Sequence, residues 1–153
     1  MLETENNVPQ IALTDADGAI FTLAEYRGKR IVVYFYPKAD TPGCTNEAKD
    51  FTELAGDFDQ ANVPVIAVSK DKPTKLAKFR DKYALKLRLA SDESGAFCEA
   101  FGTWIEKSLY GRKYMGIARA TFLIDGDGMI RRVWPAVKVK GHADEVLKVL
   151  MEQ

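Results

Sequence analysis

VVYFYPKADTPGCTNEAKDF, residues 32–51, joins an apolar run to a short polar loop and then to a helix that carries a cysteine. Residues 31–36 are all β-branched or aromatic, without polar alternation, which predicts a strand buried on both faces of a sheet. Thr41 as N-cap, followed by Pro42 at the first helical position, predicts that a helix begins here. The stretch therefore predicts a central strand of an α/β fold that leads directly into a helix.

Cys44 falls in the first turn of this predicted helix. The reactive form of cysteine is the thiolate, which the unpaired N–H groups and the dipole of a helix start favour. The dipole supplies only about 0.3–1 kcal/mol, less than a cation within hydrogen-bonding distance. We therefore expect an arginine beside Cys44. Arg119, just before the apolar run Ala120–Ile124, is the best candidate, and a surface arginine is the alternative.

The pattern Pro37-x-x-x-Thr41-x-x-Cys44 resembles the peroxidatic-cysteine motif of the peroxiredoxins. The fuller string from Tyr36 to Ala48 is similar to the bacterioferritin comigratory protein, or Q-type, branch. Similarity continues at Trp104, Glu106-Lys107-Ser108, Tyr110-Gly111, Gly116-Ile117, Arg119, Thr121–Asp125 and Gly141-His142. The resemblance implies a thioredoxin-like α/β fold with an N-terminal extension, in which helices flank a central mixed sheet. It also implies reduction of hydrogen peroxide and organic hydroperoxides through a sulfenic acid at the cysteine.

The resemblance implies four catalytic residues: Cys44, Thr41, Arg119 and Pro37, the last shielding the thiolate from water. The Thr41 hydroxyl is expected to cap the helix while it faces the sulfur or the peroxide. Glu47 lies one helical turn after Cys44, where it either holds Arg119 or caps the helix start, and both alternatives remain open.

The chain departs from the family in its second cysteine. Many members of the branch carry a cysteine five residues after the peroxidatic one, where this chain has Lys49, and another known position corresponds roughly to Arg80. The only other thiol is Cys98. It is either a small buried hydrophobic residue or a resolving thiol that would need the first turn after Thr41 to unwind. We favour a single-cysteine cycle in which an external thiol reduces Cys44.

Composition limits the partners and the compartment. The 153 residues fit one domain, residues 1–153, and Lys+Arg and Asp+Glu are both 22, so no basic excess points to nucleic acid or an acidic membrane. The expected partners are a hydroperoxide and thioredoxin or another thiol reductant. Two cysteines and no long apolar segment predict a cytoplasmic protein of a reducing compartment. The resemblance favours a monomer.

Other chemistries fit the residues less well. Asp15-x-Asp-Gly and Asp125-x-Asp-Gly lack the glutamate that a calcium loop needs, so turns explain both, and no metal or cofactor is expected. His142 is expected to be a solvated cap rather than the base of a Cys–His pair. No Cys-x-x-Cys pair or Cys-x5-Arg loop is present, which disfavours a dithiol oxidoreductase and a tyrosine phosphatase. The alternative function is a non-enzymatic redox sensor or holdase.

The remaining pattern alternates strands and helices, which favours a largely parallel centre. Residues 1–7 are expected to be a loose terminus, and residues 104–116 a long connection or an irregular hairpin. Strands are predicted at residues 11–13, 19–21, 65–68, 87–90, 120–124 and 129–133, and helices at residues 44–54, from 73 onward, at 94–101 with Ser94 as cap, and at 144–150.

Overall fold

The computed structural model describes residues 1–152. Within them, a seven-stranded mixed sheet has the strand order β2-β1-β5-β4-β3-β8-β9, and β6 and β7 pair separately. The strands are β1 (Leu13–Asp15), β2 (Ile20–Phe21), β3 (Ile31–Phe35), β4 (Val65–Ser69), β5 (Arg88–Ser91), β6 (Trp104–Leu109), β7 (Arg112–Ile117), β8 (Ala120–Ile124) and β9 (Ile130–Trp134).

The strand β3 lies between two covered faces, and all of its residues are buried. It pairs in parallel with β4, which pairs in parallel with β5, so the predicted parallel centre is confirmed. Val33 and Phe35 point into one core cluster, whereas Val32 and Tyr34 point into the other. This period of two divides the hydrophobic core into two halves separated by the sheet.

Helices cover both faces of the sheet. The helices are α1 (Pro42–Glu53), α2 (Ala55–Gln60), α3 (Pro73–Tyr83), α4 (Ala96–Phe101) and α5 (His142–Met151). Helix α4 packs on one face together with the 3₁₀ turn Leu23–Tyr26, and the other four helices pack on the opposite face. The expected α/β architecture, a central mixed sheet flanked by helices, is thus observed. None of the helices in residues 1–152 has the length and apolar character that crossing a membrane requires.

The antiparallel pairing of β3 with β8 decides where the site forms. Phe35, the last residue of β3, pairs with Ala120, the first residue of β8. Arg119 immediately precedes Ala120, so it lies at the edge of the sheet where β3 ends and the chain turns toward α1. Strand pairing therefore brings Arg119 to Cys44, which lies 75 residues earlier in the sequence.

The first residues of the chain are fixed, so the expectation of a loose terminus is wrong. The Leu2 amide donates to the Phe101 carbonyl at 2.9 Å, and the Glu5 amide donates to the Ile130 carbonyl at 2.8 Å. Gly102 adopts φ 74°, and a Cβ there would lie 2.5 Å from Met1 Cα. The terminus is held because glycine leaves room for the backbone to approach α4 closely.

Residues 104–116, expected to be irregular, form a regular hairpin. The strands β6 and β7 pair over their full length, from Trp104 opposite Ile117 to Leu109 opposite Arg112. Tyr110 and Gly111 have φ values of 51° and 78°, as a two-residue turn of type I′ requires. Because most of the hairpin is exposed on both faces, its sequence lacks the hydrophobic alternation that would have predicted two strands.

Helix boundaries also differ from the predictions. Helix α1 ends at Glu53, and a separate short helix, α2, follows it. Asp92 caps the start of α4, because its carboxylate accepts hydrogen bonds from the Phe97 and Cys98 amides at 3.1 and 2.7 Å. The Ser94 hydroxyl accepts a bond only from the Ala96 amide, two residues on, at 3.2 Å. A carboxylate four residues before the first helical residue can therefore reach the amides that an N-cap side chain would otherwise bind.

The two Asp-x-Asp-Gly segments are turns, as predicted. The Asp15 carboxylate accepts hydrogen bonds from the Asp17 and Ala19 amides, and the Asp125 carboxylate accepts from the Asp127 and Met129 amides, all at 2.9–3.0 Å. Such bonds from an aspartate to the backbone two residues on stabilise tight turns. No group of three or more His, Cys, Asp or Glu side chains in residues 1–152 is arranged to hold a metal ion.

Candidate active site

Cys44 is the third residue of α1 and is only 2% exposed. The first hydrogen bond that closes a turn of this helix runs from the Thr45 amide to the Thr41 carbonyl, at 2.8 Å. The Gly43 and Cys44 amides precede that bond, so helical geometry leaves them without an intrahelical acceptor. The sulfur therefore lies at a helix start whose N–H groups can stabilise negative charge.

The expected arginine lies beside this sulfur. Arg119 Nη2 is 3.3 Å from Cys44 Sγ, and Nη1 of the same guanidinium donates to Glu47 Oε1 at 2.7 Å. Burial opposes the charge on Arg119, but the charges of Glu47 and Cys44 outweigh it and raise the arginine's pKa. One guanidinium thus contacts both the carboxyl group and the thiol, and its planar geometry fixes their positions relative to each other.

Glu47 holds Arg119 and does not cap the helix start. Its side chain is 1% exposed, and Oε2 has no hydrogen-bond partner among residues 1–152. Burial raises the pKa of Glu47 to about 7, and the neighbouring Arg119 charge limits the rise. A buried carboxyl group with a single charged partner is costly to ionise, so protonation of Glu47 is coupled to the stability of the fold.

We expect the substitution Glu47→Gln to remove a pH dependence of stability. Because the Glu47 pKa is raised in the folded protein, from 4.5 to about 7, the folded state binds more protons than the unfolded state in this range. The wild type should therefore lose stability relative to the variant as the pH rises from 4.5 to 7, by up to about 1.4 kcal/mol per pH unit. Urea unfolding of both proteins across this range measures the difference. Parallel stability curves would contradict the coupling.

Thr41 occupies the N-cap position, but its hydroxyl does not cap the helix. The Oγ1–H group donates instead to the Lys38 carbonyl at 2.8 Å. A hydroxyl has one hydrogen, so Thr41 in this arrangement cannot also donate to a second group, whereas its oxygen lone pairs can still accept a hydrogen bond. The expectation of a capping hydroxyl is therefore wrong.

Pro37 is exposed at the end of β3, and it borders an open cleft of about 400 Å³ beside the site. Ile117 and Gly116, from the end of β7, also line this cleft. The cleft therefore lies between the loop after β3 and the β6–β7 hairpin.

Sequence reasoning missed two residues of this region. Asp71 holds the loop before α1, because its Oδ2 accepts hydrogen bonds from the Ala39 amide and the Ser69 hydroxyl at 2.8 Å each. Its position after β4, next to the end of the parallel strand β3, is the signal that identifies it. Lys107, on β6, has a pKa lowered by burial and by Arg119, with the opposite influence from Cys44. No local pattern in the sequence relates Lys107 to the cysteine.

Cys98 lies in the core on the other side of the sheet. Its side chain is 0% exposed and belongs to the cluster that contains Phe35 and Phe97, whereas Cys44 belongs to the cluster of the opposite face. Burial raises the pKa of the Cys98 thiol well above its usual range, and the Asp92 carboxylate adds to this effect. The position thus fits a small buried hydrophobic residue, the favoured alternative.

His142 is buried, so the expectation of a solvated cap is wrong. Its ring is in an edge-on contact with Phe51 and Trp134, and Nε2 lies 2.8 Å from Thr121 Oγ1. Burial lowers the pKa of His142 to about 4, so the ring is neutral near pH 7. Within residues 1–152 the ring forms a hydrogen bond with Thr121 and not with Cys44, which gives no support to a Cys–His pair.

A model of the AhpC/TSA family matches residues 4–133. Peroxiredoxin Bcp of Escherichia coli K12 is 44% identical over 151 residues, which cover 99% of this chain and 97% of the relative. Peroxiredoxin Bcp of Bacillus subtilis is 41% identical, with 99% and 96% covered. The chain belongs to the peroxiredoxins of the AhpC/TSA family. It is therefore a peroxidase, as the resemblance of its cysteine motif implied.

Solved structures extend the similarity to the fold. The bacterioferritin comigratory protein of Xanthomonas campestris, studied for its alkyl peroxide reduction activity, superposes with a TM-score of 0.90 at 36% identity, with 96% of this chain and 98% of that chain covered. A structure of peroxiredoxin Q from the same organism gives a TM-score of 0.91 at 37% identity, with 98% and 99% covered. This peroxiredoxin thus has the expected thioredoxin-like fold.

Proposed function

We propose that this peroxiredoxin reduces hydrogen peroxide and organic hydroperoxides through a sulfenic acid at Cys44, and that thioredoxin or another thiol donor regenerates the thiol. The observation that carries the proposal is the 3.3 Å contact between Arg119 Nη2 and Cys44 Sγ at the start of α1. A cation and free amides at one sulfur favour the thiolate, which is the form that attacks peroxides.

The thiolate sulfur attacks one peroxide oxygen, the O–O bond breaks, and the second oxygen leaves with the electron pair and takes up a proton. The products are the Cys44 sulfenic acid and water, or an alcohol when the substrate is an organic hydroperoxide. Ionisation alone accelerates this step little, because nucleophilicity falls as a thiol becomes more acidic. The remaining acceleration must come from groups that stabilise the negative charge on the leaving oxygen in the transition state.

Three groups of the site supply that stabilisation in our proposal. The Arg119 guanidinium and the Gly43 and Cys44 amides donate to the peroxide oxygens, and Glu47 keeps the guanidinium in position. The Thr41 hydroxyl accepts the hydrogen of the hydroperoxide, since its own hydrogen is directed to Lys38. Pro37 borders the entrance and limits the access of water to the sulfur.

The test is consumption of hydrogen peroxide and of an organic hydroperoxide in the presence of dithiothreitol, together with trapping of the sulfenic acid by a dimedone-type reagent and mass spectrometry. We expect many turnovers and label on Cys44 alone. Oxidation of Cys44 without repeated turnover would favour the redox sensor or holdase, and no oxidation at Cys44 would contradict the proposal.

We propose that Cys98 takes no part in the cycle, because it lies on the opposite face of the sheet from Cys44. The substitution Cys98→Ala is therefore expected to leave dithiothreitol-supported turnover within about twofold of the wild type. Non-reducing peptide mass spectrometry after one equivalent of peroxide is expected to find no Cys44–Cys98 disulfide. A dominant disulfide between the two, lost together with turnover in the variant, would make Cys98 the resolving thiol.

A further inference from the structure

The β6–β7 hairpin carries apolar side chains into solvent. Leu109 is 56% exposed, Tyr114 48% and Ile105 36%, and all three lie on one face of the hairpin. Lys107 and Arg112 share this face, because Lys107 is opposite Tyr114 and Arg112 is opposite Leu109 in the antiparallel pairing. We call these five residues the docking face. An exposed apolar strip edged by polar groups is typical of a surface that binds another molecule.

The docking face begins at the cleft beside the active site. Lys107 and Tyr114 line the same cleft as Pro37. From there the face continues to the tip of the hairpin, and six residues at about 3.3 Å each give it a length of roughly 20 Å. A ligand that covered this length while it reached Cys44 would have to be much larger than a hydroperoxide or a small thiol.

Most of the charged side chains of this region are positive. Lys107 and Arg112 make no ion pair with any group in residues 1–152, and the same holds for Lys38 and Lys70, which line the cleft. The one carboxylate of the cleft, Asp71, already engages Lys75 at 3.2 Å and the loop amide of Ala39. The cleft and the docking face therefore present uncompensated positive charge.

We infer that the docking face binds a protein dithiol whose reacting sulfur is surrounded by apolar and acidic groups, and that it guides this partner to oxidised Cys44. The inference rests on the proposed function, since it concerns the regeneration of Cys44. An external thiol is required because Cys98 lies behind the sheet. Apolar contacts along the hairpin hold the partner, and opposite charges steer its approach.

The two thiols of the partner regenerate Cys44 in two steps. The first thiol of the partner attacks the Cys44 sulfenic acid, a disulfide between the two proteins forms, and water leaves. The second thiol of the partner attacks the partner's sulfur in that disulfide, so Cys44 departs as the thiolate and the partner keeps an internal disulfide. The partner supplies both electrons, and it must dissociate after each cycle, as a transient interface allows.

The test compares two double variants with the wild type. Leu109→Ser/Arg112→Glu removes an apolar side chain and reverses a charge on the docking face. Ile20→Ser/Lys86→Glu makes matched changes elsewhere, because Ile20 is 75% exposed on β2 at the far edge of the sheet and Lys86 is exposed without an ion pair among residues 1–152. Turnover is measured with a bacterial thioredoxin and its reductase, and separately with dithiothreitol.

We expect kcat/KM for thioredoxin to fall at least tenfold in Leu109→Ser/Arg112→Glu, chiefly through a higher KM, and to change less than twofold in the control. Dithiothreitol-supported turnover and the rate of Cys44 oxidation in a single turnover should stay within twofold in both. In the wild type, added salt should lower kcat/KM for thioredoxin and leave dithiothreitol-supported turnover unchanged.

Unchanged kcat/KM for thioredoxin in the docking-face variant would overturn the inference. An equal loss of turnover with thioredoxin and with dithiothreitol in this variant would also overturn the inference. The hairpin would then affect the active site itself and not the binding of a partner. Wild-type turnover with dithiothreitol but not with thioredoxin would overturn the inference and leave the proposed function standing. A wild type whose Cys44 is not oxidised by peroxide would remove the proposed function itself.

Discussion

Peroxide consumption is expected to fall below detection when Cys44 is replaced by serine. A serine hydroxyl does not ionise near neutral pH, so the variant has no nucleophile at the start of α1 even though the amides and Arg119 remain. Consumption of hydrogen peroxide by the purified variant with dithiothreitol measures the effect. Activity within tenfold of the wild type would remove Cys44 from the reaction.

The fold should tolerate this substitution. Serine is close to cysteine in size, and its oxygen can accept the hydrogen bond that Arg119 Nη2 directs at the sulfur, so no buried donor loses its partner. Circular dichroism and the urea midpoint are expected to match those of the wild type. Cys98→Ala is the matched control, because it removes the other thiol of the chain from the opposite face of the sheet.

The second large effect is expected for Arg119→Ala, which should lower the second-order rate constant for peroxide at least 100-fold. This factor corresponds to about 2.7 kcal/mol of transition-state stabilisation. Arg119 Nη2 lies 3.3 Å from the sulfur, and within residues 1–152 this guanidinium is the one cation that pairs with Glu47. Stopped-flow measurement at a pH where the thiol is ionised in both proteins separates this effect from ionisation. An unchanged rate there would assign the role to another group.

Two further variants distinguish catalysis from stability. Arg119→Ala leaves Glu47 buried without its charged partner, which should destabilise the protein. Adding Glu47→Gln removes the uncompensated carboxylate, so the double variant should regain stability without regaining rate. Arg131→Ala is the matched control and should leave the rate unchanged, since Arg131, on β9, forms an ion pair with Asp125 at 2.7 Å, away from the site.

Much of this site could be predicted because its parts are local. Residues 31–36 are β-branched or aromatic without interruption, which is typical of a strand with both faces covered, and Thr41-Pro42 mark the start of a helix. These signals are local, because they depend on the backbone preferences and the side-chain burial of a few consecutive residues. They were sufficient to place Cys44 in the first turn of α1 and to require a nearby cation.

Predictions failed where the environment of a residue comes from distant parts of the chain. His142 follows a glycine at a helix start, yet Phe51, Trp134 and Thr121 enclose it. Residues 104–116 lack a hydrophobic period because the hairpin stands away from the main sheet, so no core selects alternate side chains.

The sequence by itself determined the nucleophile, the strand and helix that present it, and the kind of group needed beside it. Only the tertiary structure decided which groups meet there. The antiparallel pairing of β8 with β3 brings Arg119 to Cys44, and the same sheet separates Cys44 from Cys98. The physical reason is that local propensity acts over a few residues, whereas strand pairing and the burial of two opposite faces depend on contacts among segments far apart in the chain.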